Sequence, residues 1–315
     1  MAGYTFTAER TGSGSSAVSQ SKLCGPYDGL SVDVEDYFQV EAFADVVSPS
    51  SWDRFTRRVC RNTERVLELL AKYHCRATFF VLGWVADREP ALLRTIAAAG
   101  HEIACHGYSH QRLISLTPGE FREDVQRAVR AIENATGMRP LGYRAPTFSI
   151  MRDTLWALEI LAEQGFCYDS SIYPIRHDLY GYPEFPRFPQ IVRLGSAKTI
   201  IEIPMSTARL FGINLPCGGG GYLRHLPMAY TRWALERIHR SDRRPAVLYF
   251  HPWEIDPEQP RLKGRWKSRL RHYRGLKGFE RRLAQLLATG NFQPLIELAR
   301  QLPNLSSPTY TAAAS

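Results

Sequence analysis

What most constrains this chain is a series of short, apolar, β-rich segments, each separated from the next by a helical pattern. Ala77-Thr-Phe-Phe-Val-Leu82 is continuous and β-rich, as a strand buried on both faces must be. Gly29-Leu-Ser-Val-Asp-Val34, His101-Glu-Ile-Ala-Cys-His106, Gly142-Tyr-Arg144, Phe166-Cys-Tyr168, Thr199–Pro204 and Ala246–Phe250 read the same way. Between them, Arg61–Tyr73 places Val66, Leu69, Leu70 and Tyr73 on one helical face. Glu89–Ala99 has Pro90 in its first turn and Gly100 as a stop. Thr117-Pro-Gly-Glu120 is a capping box that opens a helix buried through Phe121, Val125, Val129 and Ile132 and closed by Gly137. Arg152–Gln164, Pro227–Arg240, Lys277–Leu287 and Gln293–Gln301 are further helices, and Tyr173–Pro189 is an ordered surface loop dense in Pro and aromatics. Strands and helices alternating at this spacing form βα units around a parallel sheet or barrel.

Other features narrow the function classes. No apolar run approaches the roughly 20 residues a membrane helix needs, and residues 1–21 show no secretory apolar core. Residues 1–26 read as a flexible leader, 27–300 as one domain, and 301–315 as a flexible tail. The net charge of +9 looks like a nucleic-acid signal until it is located. Between Arg261 and Arg282 stand ten Lys or Arg and one acid, Glu280, which accounts for the whole excess. A local basic stretch without a binding motif argues against nucleic acid; it suits a solvated surface or peripheral contact with an anionic membrane. The six cysteines contain no C-x-x-C pair, so reduced, mostly buried thiols are expected.

In parallel α/β folds ligands bind beyond the carboxyl ends of the strands, and polar residues gather there. The first strand ends in Asp33, Glu35 and Asp36, the third in His106 and His110, and later ones in Arg144, Asp169 and His251. Two imidazoles four residues apart can face one cation, and with a carboxylate they leave positions open for water. Three crowded acids repel one another unless a cation relieves them. Strand alternation puts Asp33 and Glu35 on one side, so one acid can ligate while the other acts as a base.

Five segments carry a resemblance. Ser31-Val-Asp-Val-Glu-Asp-Tyr-Phe38, His106-Gly-Tyr-Ser-His110, Tyr143-Arg-Ala-Pro146, Tyr168-Asp-Ser-Ser-Ile-Tyr-Pro174 and Leu248-Tyr-Phe-His-Pro-Trp-Glu254 follow the order of the motifs of polysaccharide deacetylases with a NodB-homology domain, carbohydrate esterase family 4. Among these the chain resembles in particular the deacetylases associated with exosortase A and exopolysaccharide loci. The resemblance covers residues 29–300. It implies a distorted (β/α) barrel with fewer than eight strands and metal-dependent removal of N-acetyl groups from a sugar. It implies Asp33 as general base, His106 and His110 as metal ligands, Arg144 orienting the base, His251 as general acid and Asp169 pairing with that histidine. Val34 stands where the commoner first motif has a second aspartate, so the metal carboxylate is Glu35 or Asp36, with Glu35 on the face of Asp33. Gly107 replaces the usual hydroxyl residue after the first histidine, and Ala145 precedes Pro146.

Zinc is the default cation for two histidines and a carboxylate, with cobalt, manganese, nickel or iron also fitting. An N-acetylated polysaccharide or oligosaccharide is the expected substrate, in the cytoplasm or at the inner membrane face. A hydrolase of a non-sugar amide and a non-catalytic carbohydrate-binding protein are the alternatives. Tyr37, Phe38, Tyr108, Phe148, Tyr173, Tyr180, Tyr182, Phe185 and Trp253 can supply sugar-stacking rings or core. Cys217-Gly-Gly-Gly-Gly221 reads as a flexible turn near the cleft; it lacks the ending of a phosphate loop.

Overall fold

A computed structural model describes residues 27–302 and, as backbone strands, 4–9 and 309–314. The strands in chain order are β1 Tyr4–Glu9, β2 Asp28–Val34, β3 Thr78–Val81, β4 Glu102–Cys105, β5 Gly142–Tyr143, β6 Tyr168–Asp169, β7 Gln190–Arg193, β8 Thr199–Glu202, β9 Thr207–Leu210, β10 Ile213–Pro216, β11 Val247–Phe250, β12 Phe292–Gln293 and β13 Thr309–Ala314. The helices are α1 Val59–Lys72, α2 Gly83–Arg88, α3 Pro90–Ala98, α4 Pro118–Thr136, α5 Trp156–Glu163, α6 Gly221–His225, α7 Met228–Arg237, α8 Trp266–Tyr273, α9 Leu276–Leu287 and α10 Leu295–Gln301.

Strands β8, β6, β5, β4, β3, β2 and β11 lie side by side and parallel, a curled half-barrel with helices packed outside. Strand β3 is buried along its whole length, as its uninterrupted apolar run requires. Helix α1 turns Val59, Val66, Leu67 and Leu70 inward. Helix α4 opens with the Thr117–Glu120 capping box and ends on Gly137, whose φ of 73° only glycine adopts without strain.

The gap between β8 and β11 is closed without a regular strand. Ser206 N–H donates to Val247 C=O (3.3 Å), Tyr249 N–H to Gly218 C=O (2.7 Å), and Gly220 N–H to Tyr249 C=O (3.0 Å). The glycine run is therefore a buried, hydrogen-bonded closure and not the flexible turn expected. At Gly219, with φ 138°, a Cβ would stand 1.9 Å from Tyr249 O, so only glycine lets the two backbones meet.

A second correction concerns the chain ends. Strands β1 and β13 pair antiparallel, and β13 lies parallel to β7, so 4–9 and 309–314 extend the sheet instead of forming a loose leader and tail. Their Tyr and Thr content suits extended backbone. The rest of both expected segments lies outside the described residues. Among the cysteines described, Cys75, Cys105 and Cys217 are buried, Cys60 is half-buried and Cys167 exposed, and all are free.

Candidate active site

Each polar strand end identified in the sequence sits at the carboxyl rim of the half-barrel. Asp33 and Glu35 come from the end of β2, His106 and His110 from the loop after β4, Arg144 from the end of β5, and His251 from the end of β11. All but His110 and His251 are buried with almost no exposure, and those two keep only a small opening.

Arg144 is the centrepiece. Its Nη1 donates to Asp33 Oδ1 (2.6 Å) and Ser31 Oγ (2.8 Å); Nε and Nη2 donate to Ser170 O (3.0 Å) and Ser170 Oγ (2.9 Å). Its guanidinium lies over the Phe80 ring at 4.1 Å. A fully buried guanidinium is tolerable only when its donors are used, and here they fix Asp33 in place.

Glu35, His106 and His110 offer ligand atoms that all lie within 4.8 Å of one another. His106 Nδ1 stands 2.8 Å from Arg144 C=O, the contact that leaves Nε2 as the ring's free lone pair. Burial, then the neighbouring His110, pushes His106 down to about 3, so it stays neutral and ready to ligate. Glu35 Oε2 is 2.9 Å from His110 Nε2 but outside hydrogen-bonding geometry, so a buried carboxylate oxygen keeps an unsatisfied lone pair. Burial would raise the Glu35 carboxyl, yet His110 and His251 outweigh it and hold it below its usual value. His110, which Glu35 raises against burial, and the neutral His106 flank an ionised, under-satisfied carboxylate, a donor set that fits a divalent cation. His110 reaches the cluster through a left-handed backbone, φ 52°. The preceding turn is held by Asp124 of α4, which accepts from Tyr108 N–H (2.8 Å) and Ser109 Oγ (2.8 Å).

His251 faces the same cluster. Its Nε2 lies 3.1 Å from Glu35 Oε1 and its Nδ1 3.2 Å from Glu254 Oε2. Burial would lower the imidazole, but Glu35 and then Glu254 raise it to about 9. Glu254 is itself paired with Arg224, Nε to Oε1 at 2.5 Å. Against burial, Arg224 and His251 bring Glu254 down to about 2.

Two expectations are corrected here. Asp169 does not pair with His251. It accepts from Ser171 Oγ (2.5 Å) and Ser171 N–H (3.0 Å), and Glu202 stands beside it. Ser171 Oγ in turn accepts from Ala145 N–H (2.7 Å), so Asp169 braces the segment after Arg144. Glu254 takes the place beside His251 because the turn His251-Pro-Trp-Glu254 folds its carboxylate back onto the histidine three residues earlier. The signal was the i, i+3 spacing of His251 and Glu254, inside a segment already singled out for its histidine. Asp36, the alternative carboxylate ligand, points away. It accepts from Arg58 N–H (2.6 Å), Val59 N–H (3.0 Å) and Tyr37 N–H (2.9 Å), so it serves the start of α1.

The aromatic residues divide. Tyr37, Phe38, Tyr108, Tyr182, Phe185 and Trp253 are buried core. Phe148, also buried, packs on Tyr249 (4.8 Å between centroids), and Tyr249 on His251 (5.4 Å). Tyr180, half-buried, stacks between Tyr173 (6.0 Å) and His177 (3.9 Å). Thr147 and Phe148, directly after Pro146, both have left-handed backbones, φ 57° and 51°. Two such non-glycine residues in a row mark stored strain beside Arg144, whose guanidinium lies 5.4 Å from the Phe148 ring.

An oriented carboxylate, a triad that could hold a cation and a raised, carboxylate-backed histidine meet at one end of a parallel half-barrel. Comparison with known proteins finds likenesses for two stretches of the chain. Residues 51–166 match the polysaccharide deacetylase model, and residues 170–300 match a model described as "Domain of unknown function (DUF3473)". The chain is 36% identical to a peptidoglycan deacetylase of Helicobacter pylori over 108 residues, 34% of this chain and 36% of that protein. It is 36% identical to a chitooligosaccharide deacetylase of Bradyrhizobium over 101 residues, 32% of this chain and 43% of that protein. The matched stretch thus spans less than half the length of these relatives. In structure, the fold is that of a Mycobacterium smegmatis protein named for a polysaccharide deacetylase (TM-score 0.58, 23% identity, 94% of this chain and 97% of that one). An allantoinase shares it as well (TM-score 0.54, 18% identity, 88% and 90%). Residues 51–166 are thus similar to the polysaccharide deacetylases, and the half-barrel has the fold of the Mycobacterium smegmatis protein.

The two matched stretches do not divide the site. His106, His110 and Arg144 fall in 51–166, His251 and Glu254 in 170–300, and Asp33 and Glu35 precede both. The stretch named for its unknown function supplies β7, β8 and β11 and therefore one wall of the barrel.

Proposed function

We propose that this protein is a metal-dependent hydrolase that removes N-acetyl groups from an N-acetylated sugar in a polysaccharide or its precursor. The observation that carries the reading is the meeting of Asp33–Arg144, Glu35–His106–His110 and His251–Glu254 at one rim. The relatives named as peptidoglycan and chitooligosaccharide deacetylases support an N-acetylated sugar.

In this reading Glu35, His106 and His110 hold a divalent cation, zinc in the first instance. Such a cation polarises an acyl oxygen and makes bound water acidic. The chain's own residues do the rest. Arg144 orients Asp33, which takes the proton from the attacking water. In the same reading the backbone amide after Pro146 donates to the developing oxyanion. His251, kept protonated by Glu35 and Glu254, gives its proton to the departing amine, and Glu254 holds its ring in place.

The finer reading names an exopolysaccharide as substrate, as in the exosortase A-associated deacetylases it resembles, and a cytoplasmic setting with residues 261–282 against an anionic inner membrane face. No helix among the described residues is long and apolar enough to cross a membrane. The test is acetate release from a panel of N-acetylated glycans, with Asp33→Asn as control. Release from at least one glycan, reduced about 10²–10⁴-fold in the variant, supports the reading. Equal release by the variant, or none from any N-acetylated glycan with metal supplied, removes it.

A further inference from the structure

The basic stretch has a shape that its sequence does not reveal. Helix α8, Trp266–Tyr273, turns Trp266 (69% exposed) and Leu270 (54%) outward, one helical turn apart. Val46, 54% exposed, lies beside the same segment, its side chain against the position of Gly264. Lys263, Arg265, Lys267, Arg269 and Arg271 are exposed around these apolar residues. Asp45, 3.2 Å from Arg265, is the acid that pairs with this group.

The inner side of α8 is firmly held. His272 is buried and stacks on Trp253 (4.2 Å, 19°), which stacks on His251 (5.1 Å, 23°). Arg224, the partner of Glu254, also donates through Nη1 to the carbonyls of His272 (2.7 Å) and Arg274 (2.9 Å) at the end of α8. One guanidinium therefore ties the outward helix to the turn that carries His251.

We propose that the outer face of α8, Trp266 and Leu270 ringed by lysine and arginine, docks on an anionic lipid bilayer surface and holds the His251 turn at a fixed position relative to it. Exposed Trp and Leu amid cations are the combination that enters the headgroup boundary, the rings and aliphatic groups dipping in while the cations meet lipid phosphates. A partner held by charge alone would give Trp266 and Leu270 no role, and a duplex, whose bases are stacked on one another, would give none to Leu270. The proposal rests on the membrane part of the reading above and is independent of its chemistry.

The experiment is co-sedimentation of the full chain with vesicles of phosphatidylcholine alone and with about one-third phosphatidylglycerol. Binding is expected to the anionic vesicles only and to weaken with salt. The double variant Trp266→Ser, Leu270→Ser is expected to bind them roughly tenfold more weakly or worse. Lys263→Gln, Lys267→Gln, Arg269→Gln is expected to lose most of the salt dependence. Both variants should keep the wild-type melting temperature, which separates lost docking from lost folding. Vesicle binding needs no turnover, so its result is separable from failure of the deacetylase reading. Absence of binding overturns the proposal. So does undiminished binding by the Trp266/Leu270 variant, or tighter binding to duplex DNA than to vesicles.

Discussion

The site's chemistry depends on how single side chains divide the work, and two neighbours show it. Glu35 and Asp36 are adjacent acids, yet one faces two histidines and the other three backbone amides. Asp36→Asn should keep bound metal near wild type, measured by elemental analysis, while costing about 1 kcal/mol of stability. His110→Ala should lose the metal. His251→Ala should lower turnover by about 10²–10⁴, measured as acetate release. Glu35 could be preferred from the sequence because it shares a strand face with Asp33. The role of Glu254 had only its i, i+3 spacing from His251 as a signal, and that spacing tells of a contact only once the segment after Pro252 is known to turn helically. Asp169 was misassigned for a related reason: a strand end shows that a carboxylate is near the rim but not which hydroxyl or acid it meets.

At the scale of elements, the strands and helices that position the site follow apolar periodicity, and their expected and observed bounds differ mainly at the ends, as at α1, expected from Arg61 and found from Val59. The closure of the barrel was not legible. Ser206 and Gly218–Gly220 pair with β11 through irregular backbone, which carries no alternation of apolar and polar residues. Gly219→Ala should destabilise the fold by about 2 kcal/mol or more in urea unfolding, because its Cβ meets Tyr249 O and its φ is unfavourable. Another junction is expected to respond to pH. His239 Nε2 lies 2.8 Å from Asp28 Oδ1, and that contact raises the imidazole above its ordinary value against partial burial. A histidine raised on folding stabilises fully below its unfolded value of about 6.5. That contribution is lost as pH climbs through the higher folded value. The stability difference between wild type and His239→Gln should therefore be largest below pH of about 6 and shrink as pH rises beyond about 7. A difference that grows with pH would contradict the assignment.

Across the whole molecule, one continuous sheet brings together residues spread from 33 to 254, and both family-matched stretches contribute to a single rim. The parallel βα plan predicts that convergence, since every strand delivers its carboxyl end to the same side. The terminal strands escaped the sequence reading because polar, Gly- and Ser-rich surroundings mask six-residue extended segments. In the proposed function the rim is built around a cation that the reaction requires. That requirement is tested most directly by acetate release from an N-acetylated chito-oligosaccharide or peptidoglycan substrate before chelation, after it, and after zinc, cobalt or manganese is returned. Activity that disappears with the metal and returns with it, in wild type but not in His106→Ala, is the predicted result. Acetate release that persists undiminished in the chelated, metal-free protein would contradict the claim.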